Sequence, residues 1–261
     1  MKLISNKKIK RLAFCLALFF YKNTVIAQRN YFQQEVNYQI SVKLNDNNHS
    51  LTAFEKIKYI NNSDQKLEFI YFHLWPNAYK NKKTALSKQF LNQNKTTFYF
   101  AKDSELGFID SLNFKINNQS INWEYDKLNP DICKLILNTA LLPKDSIEIS
   151  TPFYVKIPSA KFSRLGHSEQ AYFITQWYPK PAVFDNEGWH PVPYLDQGEF
   201  YSEFGSFEVN ITLPDNYLLC ATGNRVNAKE ELDFLVKKYK FLYVNKTFVL
   251  YKKSLVNTRL F

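Results

Sequence analysis

His190, Asp196 and Glu199 crowd into ten residues of sequence, and a histidine with two carboxylates is a donor set that a divalent metal could take. In an acid-rich loop such spacings arise without any ligand, so these side chains read first as surface acids near a single histidine. The other histidines, His49, His73 and His167, stand alone. No His-x-x-x-His pair and no His-Glu-x-x-His occurs, so the helical two-ligand zinc platform is missing from the sequence. Asp185, Glu187, Asp196, Glu199 and Glu203 supply enough carboxylates for a glycosidase pair, which needs two of them at a set separation that sequence does not reveal. Trp177, Tyr178 and Trp189 could stack on a sugar, although rings of this size in a β domain are more often core or interface. No Gly-x-Ser-x-Gly elbow is present and neither Cys133 nor Cys220 has a base close in sequence, which leaves nucleophilic catalysis without support.

All the acids and rings just named fall in one stretch, "FITQWYPKPAVFDNEGWHPVPYLDQGEFYSEFGSF", residues 173–207. It holds ten aromatic rings, five carboxylates, a histidine and three of the six glycines. That mixture suits the wall of a site. Ten rings are more than one face of a β domain readily buries, so part of this surface is expected to be covered by another domain.

The elements that must carry this stretch follow a period of two. Ile40, Val42 and Leu44 alternate with polar residues, as do Ile57 and Tyr59, and Phe207, Val209, Ile211 and Leu213. These predict strands with one wet face. The polar breaks at residues 45–50 and 117–119 predict hairpin turns, the second flanked by Leu112, Phe114, Ile116 and Ile121, Trp123, Tyr125. Further strands are expected near 66–74, 132–137, 145–155, 170–177 and 216–221. Only residues 84–93, with Leu86 and Phe90 four apart, read as helical. The sum is a mostly β, antiparallel sandwich or saddle-like domain of about 200 residues with one short helical segment.

The start of the chain sets the expected compartment. Lys2, Lys7, Lys8, Lys10 and Arg11 precede an apolar run over residues 12–20, and Val25-Ile26-Ala27 offers small residues for cleavage before Gln28. That is the layout of a secretory signal peptide over residues 1–27, with a run too short for a stable membrane anchor. The protein is therefore expected to be exported, periplasmic or secreted, and off the membrane after cleavage. Leu12-Ala13-Phe14-Cys15 loosely echoes a lipobox, but the bulky Phe14 and the scant apolar stretch ahead of it argue against lipidation.

The net charge of +10 is concentrated at the two ends. Residues 1–27 carry six Lys/Arg and no acid, and residues 236–261 carry seven and no acid, which leaves the body at −3. No basic face is implied, and nucleic acid is not an expected partner. Cys133 and Cys220 each lie in an apolar stretch and are expected as buried free thiols, a disulfide being the alternative for an exported pair. Residues 235–261 contain no Gly, Pro, Asp or Glu and keep neither period for long. A final strand pair with a basic tail and a non-native continuation past a frameshift both fit that composition.

Taken whole, "TQWYPKPAVFDNEGWHPVPYLDQGEFYSEFGSFEVNITLP" followed by "LLCATG" resembles the N-terminal β domain of M1-family zinc metallopeptidases, the aminopeptidase N-like enzymes, in the form seen in exported members from Bacteroidetes. Upstream support comes from "INNSDQKLEFIYFHLWPNAYKNKKTALSKQF" and "YFAKDSELGFIDSL", so the likeness spans residues 30–234, within a domain placed at 28–234. The resemblance implies a β domain packed on a thermolysin-like catalytic domain. It also implies a Thr-Gln-x-Glu/Gln-Pro segment that brings polar side chains to the cleft and holds the substrate's free amino end. Here that segment is Thr175-Gln176-Trp177-Tyr178-Pro179. Gln176 and Tyr178 are thus the substrate-binding candidates, and Tyr178 departs from the family's Glu or Gln because a phenol cannot supply a carboxylate's charge.

The family's Gly-x-Met-Glu-Asn motif, His-Glu-x-x-His and distal Glu ligand are absent, and the only Met is Met1. No catalytic or metal-ligating residue is expected in this chain. Zinc is expected in the missing catalytic domain, and the atypical tail then reads as a truncation at the domain boundary. The partners implied are that domain and, in the complete enzyme, a peptide. The rival reading is a stand-alone secreted glycan- or peptide-binding module built on Trp177, Tyr178 and Trp189.

Overall fold

Alternation of apolar and polar residues builds the longest strands. In β1 (Glu35–Asn45), Val36, Tyr38, Ile40, Val42 and Leu44 are buried. A turn over residues 46–49 leads into β2 (Ser50–Ile60), which pairs antiparallel with β1 along its full length, as the first polar break predicts. The computed structural model describes residues 31–214 and 216–226. The expected signal peptide with Cys15 and the basic tail lie outside the described residues.

Two main sheets organise the described residues. The first has seven strands: β9 (Ser146–Lys156) pairs with β2, and β4 (Phe108–Asp110) and β5 (Lys115–Ile116) both pair with β9. The hairpin from β5 to β6 (Gln119–Ser120) turns on Asn117 and Asn118, whose φ values of 48° and 66° are left-handed, a region asparagine enters more readily than most residues. The second sheet has four strands in the order β12 (Lys180–Pro181), β3 (Leu67–His73), β8 (Ile132–Leu141) and β7 (Asn122–Tyr125). The chain therefore changes sheets between β6 and β7, and the expected long strands around residue 118 are two short pairs in different sheets. Phe114, fully buried, meets Phe72 of β3 edge-on with centroids 5.3 Å apart, which joins the two sheets' inward rows.

The architecture is the expected mostly β, sandwich-like one, with one α-helix among the described residues, α1 (Ala85–Asn92). Thr84 caps it by accepting the Ser87 N–H. One pairing departs from the antiparallel expectation: β15 (Phe207–Thr212) runs parallel to β1. Parallel neighbours require a long connection rather than a hairpin, and here the connection is most of the domain. Its apolar row also stays open, with Val209 and Ile211 at 38% and 37% exposure. In register they continue the Ile40 and Val42 row of β1, but no described strand lies beyond the edge to cover them. The strand expected at 216–221 does not form; Leu218 and Cys220 there are exposed. Both cysteines are free, Cys133 buried as expected and Cys220 exposed against expectation because no strand turns it inward.

Under the end of the second sheet lies an aromatic core. Trp75, Tyr79, Phe90, Phe98, Phe162 and Tyr194 cluster there, gathered by α1 and by the 3-10 turn Trp75–Tyr79 that follows β3. Asn77 in that turn is buried with its amide satisfied: Nδ2 donates to the Pro130 carbonyl at 3.0 Å, and Oδ1 accepts the Ile109 N–H at 3.1 Å. The stretch 173–207 folds over this core. It contributes β12 and the small hairpin β13 (Val183–Asp185) to β14 (Gly188–His190).

Candidate functional site

Lys180 is the polar centre of the folded stretch. It sits in the two-residue edge strand β12 between Pro179 and Pro181, where missing N–H groups are tolerated, and faces His73 across the pair to β3. Its side chain turns inward and is only 4% exposed. Nζ donates to Gln176 Oε1 at 2.6 Å and to Ser202 Oγ at 2.7 Å, and lies 3.8 Å from the centre of the Trp75 ring. Burial lowers its pKa to about 7, since desolvation disfavours the ammonium.

Gln176, the first sequence candidate, is half-buried with φ at +52°, a left-handed conformation that costs a residue with a Cβ roughly 1–3 kcal/mol. The bond from Lys180 ties the amide down in that conformation. Tyr178, the second candidate, is two residues on and turns to a different neighbourhood. Its ring stands edge-on to Tyr38 at 5.5 Å and to Phe207 at 5.9 Å, on the inner row of β1 and β15. Burial first, and then the Glu55 carboxyl, hold its phenol well above the ordinary range, so it stays protonated.

Beneath these residues is a buried acid layer, of which sequence reasoning named Glu203 but not Glu55. Glu55 is fully buried in β2, and both its carboxylate oxygens lack a partner among the described residues. Burial pushes its pKa well up, since desolvation disfavours the carboxylate. A parity signal was available: Glu55 shares its face of β2 with Leu51, Ala53, Ile57 and Tyr59, all buried. Glu203, 8% exposed, accepts the Phe184 N–H at 3.2 Å, and burial raises it to about 7.

The remaining candidates separate. His190 Nε2 contacts Asp185 Oδ1 at 2.8 Å across the β13–β14 hairpin, and the Tyr201 hydroxyl donates to Asp185 Oδ2 at 3.0 Å. Burial opposes ionisation of Asp185, but the bonds from His190, the Glu187 N–H and Tyr201 outweigh it and hold the carboxyl below its ordinary range. Asp196 instead binds Ser163 Oγ at 2.7 Å and Lys95 Nζ at 3.2 Å, while Glu187 and Glu199 are exposed. His190 is thus not assembled with Asp196 and Glu199. The five acids of the glycosidase reading are dispersed, and the one that senses Asp185 electrostatically, Glu203, is buried.

Trp177 packs on Phe153 at 5.9 Å, whereas Trp189 lies against Phe184 at 4.9 Å and against Phe69 and Tyr71. Trp177 and Tyr178 meet edge-on at 5.5 Å, so of the three rings of the sugar-platform reading Trp189 alone stands in a different neighbourhood. Most rings of residues 173–207 turn inward, with Phe184 and Tyr194 buried and only Phe173 and Tyr201 exposed among the rings. The expected broad apolar surface is smaller than ten rings suggested, because Trp75 of the 3-10 turn takes up Tyr194 and Phe200 while Tyr38 of β1 takes up Tyr178 and Phe207.

A zinc site does not fit these residues. His73 is buried, its Nε2 accepting the Val192 N–H and its ring stacked on Trp75 at 4.5 Å. His49 stacks on His167 at 3.6 Å and meets the Tyr172 hydroxyl at 2.8 Å. No three ligand-type side chains converge among the described residues. His49 and His167 also border an open cavity of about 680 Å³ with Glu105, Lys161 and Ser159, apart from Gln176 and Lys180.

No family model and no curated protein matches the chain. Among solved structures, it is similar to an M1 zinc metallopeptidase from Deinococcus radiodurans at 13% identity and TM-score 0.35, over 76% of this chain and 37% of that one. A point mutant of the M1 zinc metallopeptidase from the same organism is similar at 13% identity and TM-score 0.37, with coverage of 76% and 37%. A two-domain M1 zinc metallopeptidase mutant bound to L-tryptophan is similar at 13% identity and TM-score 0.38, with coverage of 76% and 38%. The chain spans less than two fifths of the length of each.

Proposed function

We propose that this chain is the N-terminal β domain of an exported M1-type zinc aminopeptidase-like enzyme, and that it shapes one wall of a peptide cleft. The observation that carries the reading is the segment Thr175-Gln176-Trp177-Tyr178-Pro179, in which Gln176 holds a left-handed backbone and a tethered, half-buried amide. Strain of this kind persists where surrounding structure over-determines it, and it gathers at ligand sites. Hydrolysis belongs to a catalytic domain carrying Gly-x-Met-Glu-Asn and His-Glu-x-x-His, motifs that do not occur within residues 1–261. Zinc bound there would supply the activated water, while the residues described here contribute binding and orientation alone.

No helix among the described residues is long and apolar enough to cross a membrane. Export is the proposed fate, on the signal-like layout of residues 1–27.

The test uses the domain joined to its catalytic half, reconstructed from downstream DNA in whichever frame encodes the two motifs. Gln176→Ala should raise KM for peptides and leave kcat within about twofold, the pattern of lost uniform binding. Unchanged kinetics would remove Gln176 from the cleft. Failure to find either motif in any frame within about a kilobase, an expected extent for a catalytic domain of a few hundred residues, would favour the stand-alone binding module.

A further inference from the structure

We propose that His49 and His167 form an acid-sensitive latch, in which neutral rings hold the hairpin of β10 (Gly166–Ser168) and β11 (Ala171–Phe173) on the turn between β1 and β2, and charged rings release it.

β10 and β11 make a two-stranded sheet of their own, outside both main sheets. Their backbone tie to the rest of the domain is short. The His167 N–H donates to the Pro158 carbonyl, and the His167 carbonyl accepts the Ala160 N–H, both at 2.9 Å. Gly166 permits that approach, since a Cβ there would lie 2.4 Å from the Ala160 Cα. On the other side the His167 ring lies flat on the His49 ring, with centroids 3.6 Å apart and planes within 12°. The Tyr172 hydroxyl, from β11, bonds His49 Nδ1 at 2.8 Å and reaches the Asp46 carbonyl at 3.4 Å. His49 is itself fixed to the main sheet, its carbonyl accepting the Ile157 N–H at 2.9 Å. The stacked rings are thus the joint between a small separate hairpin and the end of the seven-stranded sheet.

One proton on the pair leaves a neutral ring beside a charged one, but two charges at this separation repel. The groups around the rings do not offset that repulsion. Lys156, its Nζ held by the Asn48 carbonyl at 2.8 Å, adds a third cation that acts on both rings. Asp46 favours the charged form of His49, but its Oδ2 already accepts the Tyr217 hydroxyl at 3.1 Å. Glu105 and Lys161, on the wall of the adjoining cavity, are paired with each other. Glu169, at the tip of the hairpin, borders the same cavity and is exposed, where water screens it. Burial first, then Lys156, lowers the pKa of His49; burial, His49 and Lys156 lower that of His167. A released histidine therefore binds a proton more readily than a latched one. Closure is fully favoured above the ordinary histidine value of about 6.5 and loses ground as pH falls below it.

β11 ends two residues before Thr175, so release also frees the chain that leads into the segment carrying Gln176. What release does to a ligand rests on the reading of that segment as a cleft wall. The latch itself does not, and its test contains no ligand.

The experiment measures amide exchange in the ¹⁵N-labelled full chain by NMR, corrected for the intrinsic pH dependence of exchange. Between pH 7.5 and pH 5, protection of the His167 and Ala160 amides should fall at least about tenfold, while amides of the β1–β2 pair hold within about twofold. The two imidazoles should titrate in separate steps, the second well below the first. His167→Phe keeps a flat ring that cannot be charged, and should hold the Ala160 amide within about twofold over the same range. Unchanged protection in wild type would overturn the latch. So would an equal fall in the β1–β2 amides, which marks global unfolding, or a single imidazole step in the ordinary histidine range. An undiminished acid loss in His167→Phe would do the same. The wild-type exchange and titration decide the matter even if the phenylalanine variant does not fold.

Discussion

The Lys180 Nζ stands 3.8 Å from the centre of the Trp75 ring, so one of the least hydrated ammonium groups in the domain is seated on a fully buried aromatic face. Its folded pKa of about 7 lies below the ordinary 10.5, so folding binds fewer protons than unfolding over that interval. The destabilisation is complete below pH 7 and is relieved as pH climbs toward 10.5. Lys180→Met should therefore gain stability relative to wild type at pH 6, and the difference should shrink by roughly 2–4 kcal/mol on going to pH 10. Urea midpoints of both proteins at the two pH values measure it.

Glu203 predicts the opposite slope. Its folded pKa of about 7 lies above the ordinary 4.5, so the folded state binds the extra proton. Stability from this group is present below about pH 4.5 and is lost as pH rises through 7. Asp131, raised to about 6 chiefly by burial, adds to the same trend at lower pH. Glu203→Gln should remove up to about 3 kcal/mol of the pH dependence between pH 4.5 and 7.5, leaving the parts from Asp131 and Glu55. A variant whose urea midpoints track wild type across that range would show that Glu203 ionises normally.

Thr84→Ala should cost about 1–2 kcal/mol. The Thr84 hydroxyl accepts the Ser87 N–H at 3.3 Å and donates to the Ala78 carbonyl at 2.8 Å, and it is fully buried. Thr84→Ser keeps both bonds and should recover most of the loss, which thermal unfolding of the three proteins reads directly.

Gly205 sits where the chain leaves the site and enters β15. A Cβ there would lie 1.5 Å from the Val36 carbonyl oxygen, which belongs to the backbone of β1 and has little room to move. Gly205→Ala should destabilise by at least about 2 kcal/mol. It should also raise amide exchange in β15 more than in β2, because β15 is the strand that must shift. Uniform exchange across both strands would place the strain elsewhere.

Much of this architecture was legible in the sequence, and what was not has physical reasons. The parity of Ile40, Val42 and Leu44 located β1, and Leu86 with Phe90 located α1, because burial on one face leaves a period in the text. The parallel approach of β15 left no such trace, since pairing direction depends on where a distant segment arrives. The site was only half visible. Gln176 could be singled out from the Thr-Gln segment, but its tether could not, because an inward lysine between two prolines is indistinguishable in sequence from a solvated one. Tyr178 sits in the same five residues as Gln176, yet φ reversal at Gln176 and the contacts with Tyr38 and Phe207 send it to the inner row of β1 and β15 instead.

The union of β1 with β15 sets the timetable by which this domain comes together. Asn37 and Ser206, 169 positions apart, are bonded to one another, whereas β1 and β2 need only a four-residue turn between them. A chain made from its N-terminus at about 5–20 residues per second holds β1 with one edge unpaired for roughly 10–30 s before its second neighbour exists. Over that interval the β1–β2 hairpin is a template open to any other extended chain. Closure of the sheet is a late, nonlocal step, slow by its topology and not by the strength of its contacts.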